Sequence, residues 1–157
     1  MTNHVLAGTV IGAACRKRPV LAFALGVASH VAMDLTPHWG CEPGDSDRFL
    51  SVARRDGVLG LGAVTAVLVA AVPPRRALVS AIFGAALLDL NKPCEHFFGR
   101  SPFPEWVDRF HRGIQRERLE QFTSELVAGA ALTPVAAVAL ARHRRRAVEE
   151  SRVPIAQ

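Results

Sequence analysis

The chain has 157 residues, a length that suits one domain. Half of them are apolar, mean hydropathy is +0.20, and tyrosine is absent, which makes it more hydrophobic than an average soluble domain. The charge of +5 and pI of about 10.1 come from short basic clusters between apolar runs, a pattern of membrane topology rather than of nucleic-acid binding; three irregularly spaced cysteines exclude a zinc ribbon or redox motif.

The opening Met1-Thr2-Asn3-His4 has no positive n-region and no small-residue cleavage site, so no cleaved signal peptide is predicted. Five apolar runs follow, at Val5–Cys15, Pro19–Met33, Gly57–Pro74, Ala77–Leu88 and Leu126–Ala141, and none contains Lys, Arg, Asp or Glu. Only the third approaches the ~18–20 residues that cross a bilayer unaided. Small residues recur in the runs, such as Gly8, Gly12, Gly60, Gly62 and Gly84, and they permit close helix packing in lipid. The second run ends in Ser29-His30-Val31-Ala32-Met33-Asp34-Leu35-Thr36-Pro37-His38-Trp39. Here His30 and Asp34 share a helix face one turn apart, and Pro37 ends the helix with His38 at its mouth. Between Pro102 and run five, Trp106, Phe110 and Ile114 recur every four residues among Arg109, Arg112, Arg116 and Arg118. The segment 104–122 therefore reads as an amphipathic helix, lying along an interface or packed on the bundle.

Taken as alternating spans, the runs give an all-α, single-domain bundle of about five transmembrane helices, with a short basic tail at 142–157. One side receives Arg16-Lys17-Arg18, Arg75-Arg76 and the tail, for a net charge of +8; the other receives the N-terminus, the loops 37–53 and 91–124 and the charged residues bordering them (Asp34, Arg54, Arg55, Asp56, Asp89 and Glu125), for a net −3. The short acid-free clusters set the first side as cytoplasmic. A soluble helical bundle is the competing reading.

Alternation places His4, His30, Asp34, His38, Asp56, Asp89, His96 and His111 on the other, extracytoplasmic side. His143 lies in the basic tail. Ionisable groups at a membrane face are expensive, and metal binding is a reason to keep them. His4, His30, Asp34, His38 and Asp89 are the candidate metal ligands. Imidazole and carboxylate together suit Zn first, with Mn or Fe as alternatives. Asp56 or His111 is the candidate general base. Each has a plainer reading: Asp56 paired with Arg54 or Arg55, Asp89 capping the 91–93 turn. Cys41 and Cys94 fall on the same side, as a disulfide or as two thiols.

The elements His4-Val-Leu-Ala-Gly8, Ser29-His30-x3-Asp34-x2-Pro37-His38-Trp39, Gly84-Ala-Ala-Leu-Leu-Asp89 and Phe110-His111-Arg112-Gly113-Ile114 resemble a group of small bacterial membrane proteins, the predicted membrane-bound metal-dependent hydrolases. The resemblance spans most of residues 1–114. It implies a helical inner-membrane protein with His/Asp metal ligands, of which His4, His30, Asp34, His38 and Asp89 match. The family's His-Arg-Gly-x-Thr-His-Ser element reads His111-Arg112-Gly113-Ile114-Gln115-Arg116-Glu117 here, without its second His and its Ser, and Leu88 replaces the Pro before Asp89.

The expected function is metal-dependent hydrolysis of a phosphoester or other ester, with membrane lipid as surroundings and a lipid or anionic small molecule as substrate. The alternative is a non-catalytic metal-binding, transport or sensing membrane protein. A soluble nucleic-acid binder lacks any supporting motif, so no nucleic-acid partner is expected.

Overall fold

Residues 1–41 and 46–152 are described by the structure, a computed structural model. The loop read at 37–53 and the tail read to 157 include 42–45 and 153–157, which lie outside the described residues. Seven α-helices follow one another among the described residues: α1 (Thr2–Cys15), α2 (Pro19–Asp34), α3 (Ser46–Ala70), α4 (Arg76–Ala86), α5 (Asn91–Phe98), α6 (Glu105–Ile114) and α7 (Phe122–Arg152). Two short strands, β1 (His38–Trp39) and β2 (Glu117–Arg118), pair in parallel with His38 opposite Glu117. The chain is mostly helical, as expected of an all-α protein.

α4 is the element against which α1 and α2 are placed. Ala77, Leu78, Ala81, Ile82 and Ala85 are buried along it, at the spacing of one helical stripe. They meet glycines. A Cβ built on Gly12 would stand 2.5 Å from the Leu78 Cα, and one on Gly8 would stand 2.8 Å from the Ile82 Cα. On the α2 side, Gly26 lies against the Ala81 carbonyl and Gly84 against the Phe23 carbonyl, both too close for any side chain. Backbones therefore touch where side chains would ordinarily separate them, the packing that small residues allow between helices in lipid.

α4 does not run on into α5. A 3-10 turn at Leu88–Leu90 intervenes, and the two helices are bent by 57°. Pro93 supplies the reason: it has no N–H for the Asp89 carbonyl four residues back, and its ring crowds that carbonyl. α5 then ends at Gly99, whose φ of 69° is left-handed. The segment 91–98, read as part of a loop, is thus helical.

Polar contacts tie the helices at both ends of the bundle. At one end Arg16 pairs with Glu150 at 2.8 Å and Lys17 with the same carboxylate at 3.4 Å. Buried His143 lies 3.2 Å from the Val72 carbonyl, so it packs inside the fold rather than belonging to a solvated tail. At the other end, Asn3 donates to the Glu125 side chain at 2.7 Å, and the Met1 amino group pairs with Asp56.

The five-span reading is not reproduced. Among the described residues, Leu119–Arg152 is the one helix long and apolar enough to cross a membrane; the bent pair Arg76–Ala86 and Leu88–Phe98 makes a second if taken as one span. α1 and α2 have 14 and 16 residues, about 21 and 24 Å of helix, short of a ~30 Å hydrocarbon core. α3 is long enough, but its first half carries Asp47, Arg48, Arg54, Arg55 and Asp56.

Gly12→Val should lower the thermal unfolding midpoint, because overpacking a close backbone contact costs about 1–3 kcal/mol. Gly62→Ala has open space around it and should leave the midpoint unchanged or raise it, by up to about 1 kcal/mol. Circular dichroism on both variants checks the pair.

Candidate metal centre

The site grows from the last turn of α2. His30 and Asp34 stand one turn apart and both are buried, His30 completely. His30 Nδ1 is 2.7 Å from the carbonyl oxygen of Ala85. That carbonyl belongs to the last turn of α4, where carbonyls lack the full set of intrahelical donors. His30 therefore donates through Nδ1–H, which leaves Nε2 as a bare acceptor.

His111 arrives from α6. The turn before α6 is fixed by Ser101, whose hydroxyl donates to buried Asp108 at 2.9 Å and accepts from the Phe103 N–H at 3.1 Å. This rolls Asp108 and His111 inward, while Trp106 and Phe110 remain 67% and 49% exposed. The helix was expected over 104–122; it stops at Ile114, and extended backbone at Gln115 leads into β2. Its aromatic stripe faces outward, not onto the bundle.

Three atoms then converge. His30 Nε2 is 3.1 Å from Asp34 Oδ2, His111 Nε2 is 3.1 Å from the same oxygen, and the two nitrogens are 3.1 Å apart. An equilateral triangle of side 3.1 Å has its corners about 1.8 Å from its centre, so an ion about 1 Å above the plane reaches all three at ~2.0–2.1 Å. Ligand atoms at that radius lie about 3.3 Å apart in a tetrahedron and about 2.9 Å apart on an octahedral face. The observed spacing falls between the two. Two imidazole nitrogens and a carboxylate oxygen face one another here, a donor set that a cation can satisfy. His30, Asp34 and His111 can thus hold a metal ion, in the two-histidine, one-carboxylate pattern that leaves positions open.

Further groups surround the triangle. His4, from α1, places Nε2 3.3 Å from the other Asp34 oxygen, Oδ1, and its ring stacks on His30 with centroids 4.3 Å apart. Asp89, held at the break after α4, lies 4.0 Å from His111 Nε2. Lys92 sits one turn further on, 3.5 Å from Asp89 and 2.5 Å from Glu117. Gln115 places its amide nitrogen 3.2 Å from His111 Nε2. With neutral imidazoles, Asp34, Asp89 and Glu117 against Lys92 leave two net negative charges in a largely buried cluster. Burying such an excess is costly without a counter-charge, and one divalent ion cancels it.

The structure thus brings together His4, His30, Asp34 and Asp89 of the expected ligands, and adds His111, read from the sequence as a general base, at a corner of the triangle. His38 stays outside. The β1–β2 pairing holds it, with Nδ1 2.9 Å from the Thr36 carbonyl and Nε2 3.9 Å from Glu117. Asp56 stays outside too, engaged by the Met1 amino group and by the backbone and hydroxyl of Thr2. Burial opposes ionisation of Asp56, and these partners outweigh it, so its carboxyl lies below its ordinary pKa. His96 meets Phe97 edge-on near the surface, and Cys15, Cys41 and Cys94 are thiols, with no disulfide between them. Lys92 and Glu117 were not singled out from the sequence: Lys92 could have been found from its i, i+3 spacing to Asp89, but Glu117 depends on strand register.

Comparison with protein-family models, with curated proteins and with solved structures finds no match.

Metal analysis of the purified chain should separate the two residue sets. His30→Ala, Asp34→Ala and His111→Ala should each abolish retention of a divalent transition metal, whereas His38→Ala and Asp56→Asn should retain it at the wild-type level.

Proposed function

We propose that this chain is a membrane-embedded, metal-dependent hydrolase of phosphoesters or other esters, with its metal centre at the extracytoplasmic membrane face. The observation that carries the reading is the His30–Asp34–His111 triangle, with three buried donor atoms 3.1 Å apart. A divalent ion bound there supplies Lewis acidity and lowers the pKa of bound water; Zn is the first choice for this donor set, then Mn or Fe. The chain's own residues orient and insulate the site. The Ala85 carbonyl fixes the His30 tautomer, Gln115 approaches His111, and stacked His4 closes one side. Lys92 adds a cation beside Asp89 and Glu117, a feature suited to an anionic substrate.

The membrane location rests on where the apolar side chains point. The buried positions are rich in alanine, histidine and aspartate, while Val20, Val58, Leu59, Leu61, Val69, Leu126 and Val127 face outward. That inversion suits lipid, where small residues pack helices and polar groups turn inward. The apolar stretch of α7 is almost wholly unburied by the rest of the chain, unlike the core helix of a soluble bundle. Outward Phe97, Phe98, Trp106 and Phe110 lie on α5 and α6, which carry Asn91 and His111 of the polar end, a disposition that suits an aromatic belt. Arg16, Lys17 and the arginines around His143 gather at the opposite end, which orients the centre away from the cytoplasm. The residues resembling membrane-bound metal-dependent hydrolases agree with this reading, and four of the five matching ligands gather at the centre.

The full chain should remain in carbonate-washed membranes. Once purified in detergent, it should hydrolyse a phosphoester in a reaction stopped by a chelator and restored by a divalent metal. Asp34→Asn should lower kcat/KM at least about a hundredfold, a loss of about 3 kcal/mol in transition-state stabilisation. Turnover indifferent to chelator would overturn the reading, and bound metal without turnover on any ester would make the centre non-catalytic.

A further inference from the structure

Asp34 does not present its carboxylate to one neighbour. Oδ2 faces His30 and His111 at 3.1 Å each, and Oδ1 faces His4 at 3.3 Å. The two oxygens of one carboxylate thus point to two different imidazole positions. His4 and His30 are stacked with ring centroids 4.3 Å apart and planes within 27° of each other. Both direct Nε2 at this one side chain. Ions seated on the two stacked rings would therefore lie about 4 Å apart, the separation of two-metal hydrolytic sites.

The second position has its own donors. His4, His30 and Asp89 present ligand atoms within 4.8 Å of one another. The single bare nitrogen of His30 belongs to the first triangle, because its Nδ1 is bonded to the Ala85 carbonyl. That leaves His4 to anchor the second position, with Nε2 3.3 Å from Asp34 Oδ1 and a ring nitrogen within 4.8 Å of an Asp89 oxygen. His4 is buried, with Nε2 turned to the Asp34 carboxylate. A polar side chain at that depth needs a reason to be there.

We propose that the centre binds a carboxylate-bridged pair of divalent cations, the first on His30, His111 and Asp34, the second on His4, Asp34 and Asp89. This builds on the metal-dependent reading above and narrows its substrate. One divalent ion cancels the two negative charges of the cluster; a second leaves it with two positive charges. A buried centre of that charge requires an anionic ligand, which selects a phosphomonoester over a neutral carboxylic ester.

Full-length protein purified in detergent and equilibrated with Mn(II) tests the pair. Wild type should bind two equivalents and give an exchange-coupled paramagnetic resonance spectrum. His4→Gln and Asp89→Asn should each bind one equivalent, give the six-line spectrum of an isolated ion, and turn over p-nitrophenyl phosphate at least about tenfold more slowly, since a two-ion clamp is lost. Wild-type circular dichroism in both variants guards against misfolding. One equivalent in wild type, with an isolated-ion spectrum unchanged by Asp89→Asn, would overturn the pair and leave the single-ion hydrolase standing. No bound metal in wild type would overturn both.

Discussion

Backbone contact between α4 and its two neighbours is the constraint on which the rest of this fold depends. Gly8 and Gly12 let α1 settle on the Leu78 and Ile82 backbone, and Gly26 and Gly84 do the same between α2 and α4. Nothing larger fits. The same contact delivers the Ala85 carbonyl to His30 and brings His4 over the His30 ring. A core of alanine and glycine offers little hydrophobic area per residue, so its value lies in dispersion contacts and in the positions it fixes. The His/Asp cluster is the clearest beneficiary, because a metal ion there would tolerate errors of only a few tenths of an ångström in its ligands.

Local features of the centre were legible in the sequence, and the remote ones only as a direction. His30 and Asp34 are one helical turn apart, so periodicity alone paired them. His4 and Asp89 came from reasoning about which ends of the apolar runs share a side, and the structure does gather them. His38 misled because sequence proximity to Asp34 stands in for spatial proximity only while the helix lasts; the β1–β2 ladder then carries it away toward Glu117. Asp56 misled because its partners, Met1 and Thr2, lie more than fifty residues away. His111 was placed on the right side but given a different task. The amphipathic pattern of α6 says which residues share a stripe, not which stripe faces inward, and the Ser101–Asp108 bond decides that.

The span count failed for a physical reason of the same kind. Uncharged runs were read as membrane-crossing units, yet α1 and α2 are too short to cross alone, and α3 spends its first turns on charged residues. Run composition reports polarity, and helix length decides what can cross; the bend between Arg76–Ala86 and Leu88–Phe98 falls where the fourth run ends. The sidedness survives because it needs only the direction of each helix. α1 still carries His4 at one end and Arg16 at the other, some twelve residues or about 18 Å away.

The donor atoms belong to α1, α2, the break after α4, and α6, so they span residues 4 to 111. The proposed pair of ions would tie the first helix to the sixth through their shared Asp34. No partial chain can assemble it, and the native state would gain stability with the logarithm of the free-ion concentration once that exceeds the dissociation constant. Metal supply would then govern how long the protein lasts as well as whether it works: in an ion-poor compartment the four segments lose their common anchor, the buried carboxylates lose their counter-charge, and the empty chain becomes the form that quality-control proteases meet first.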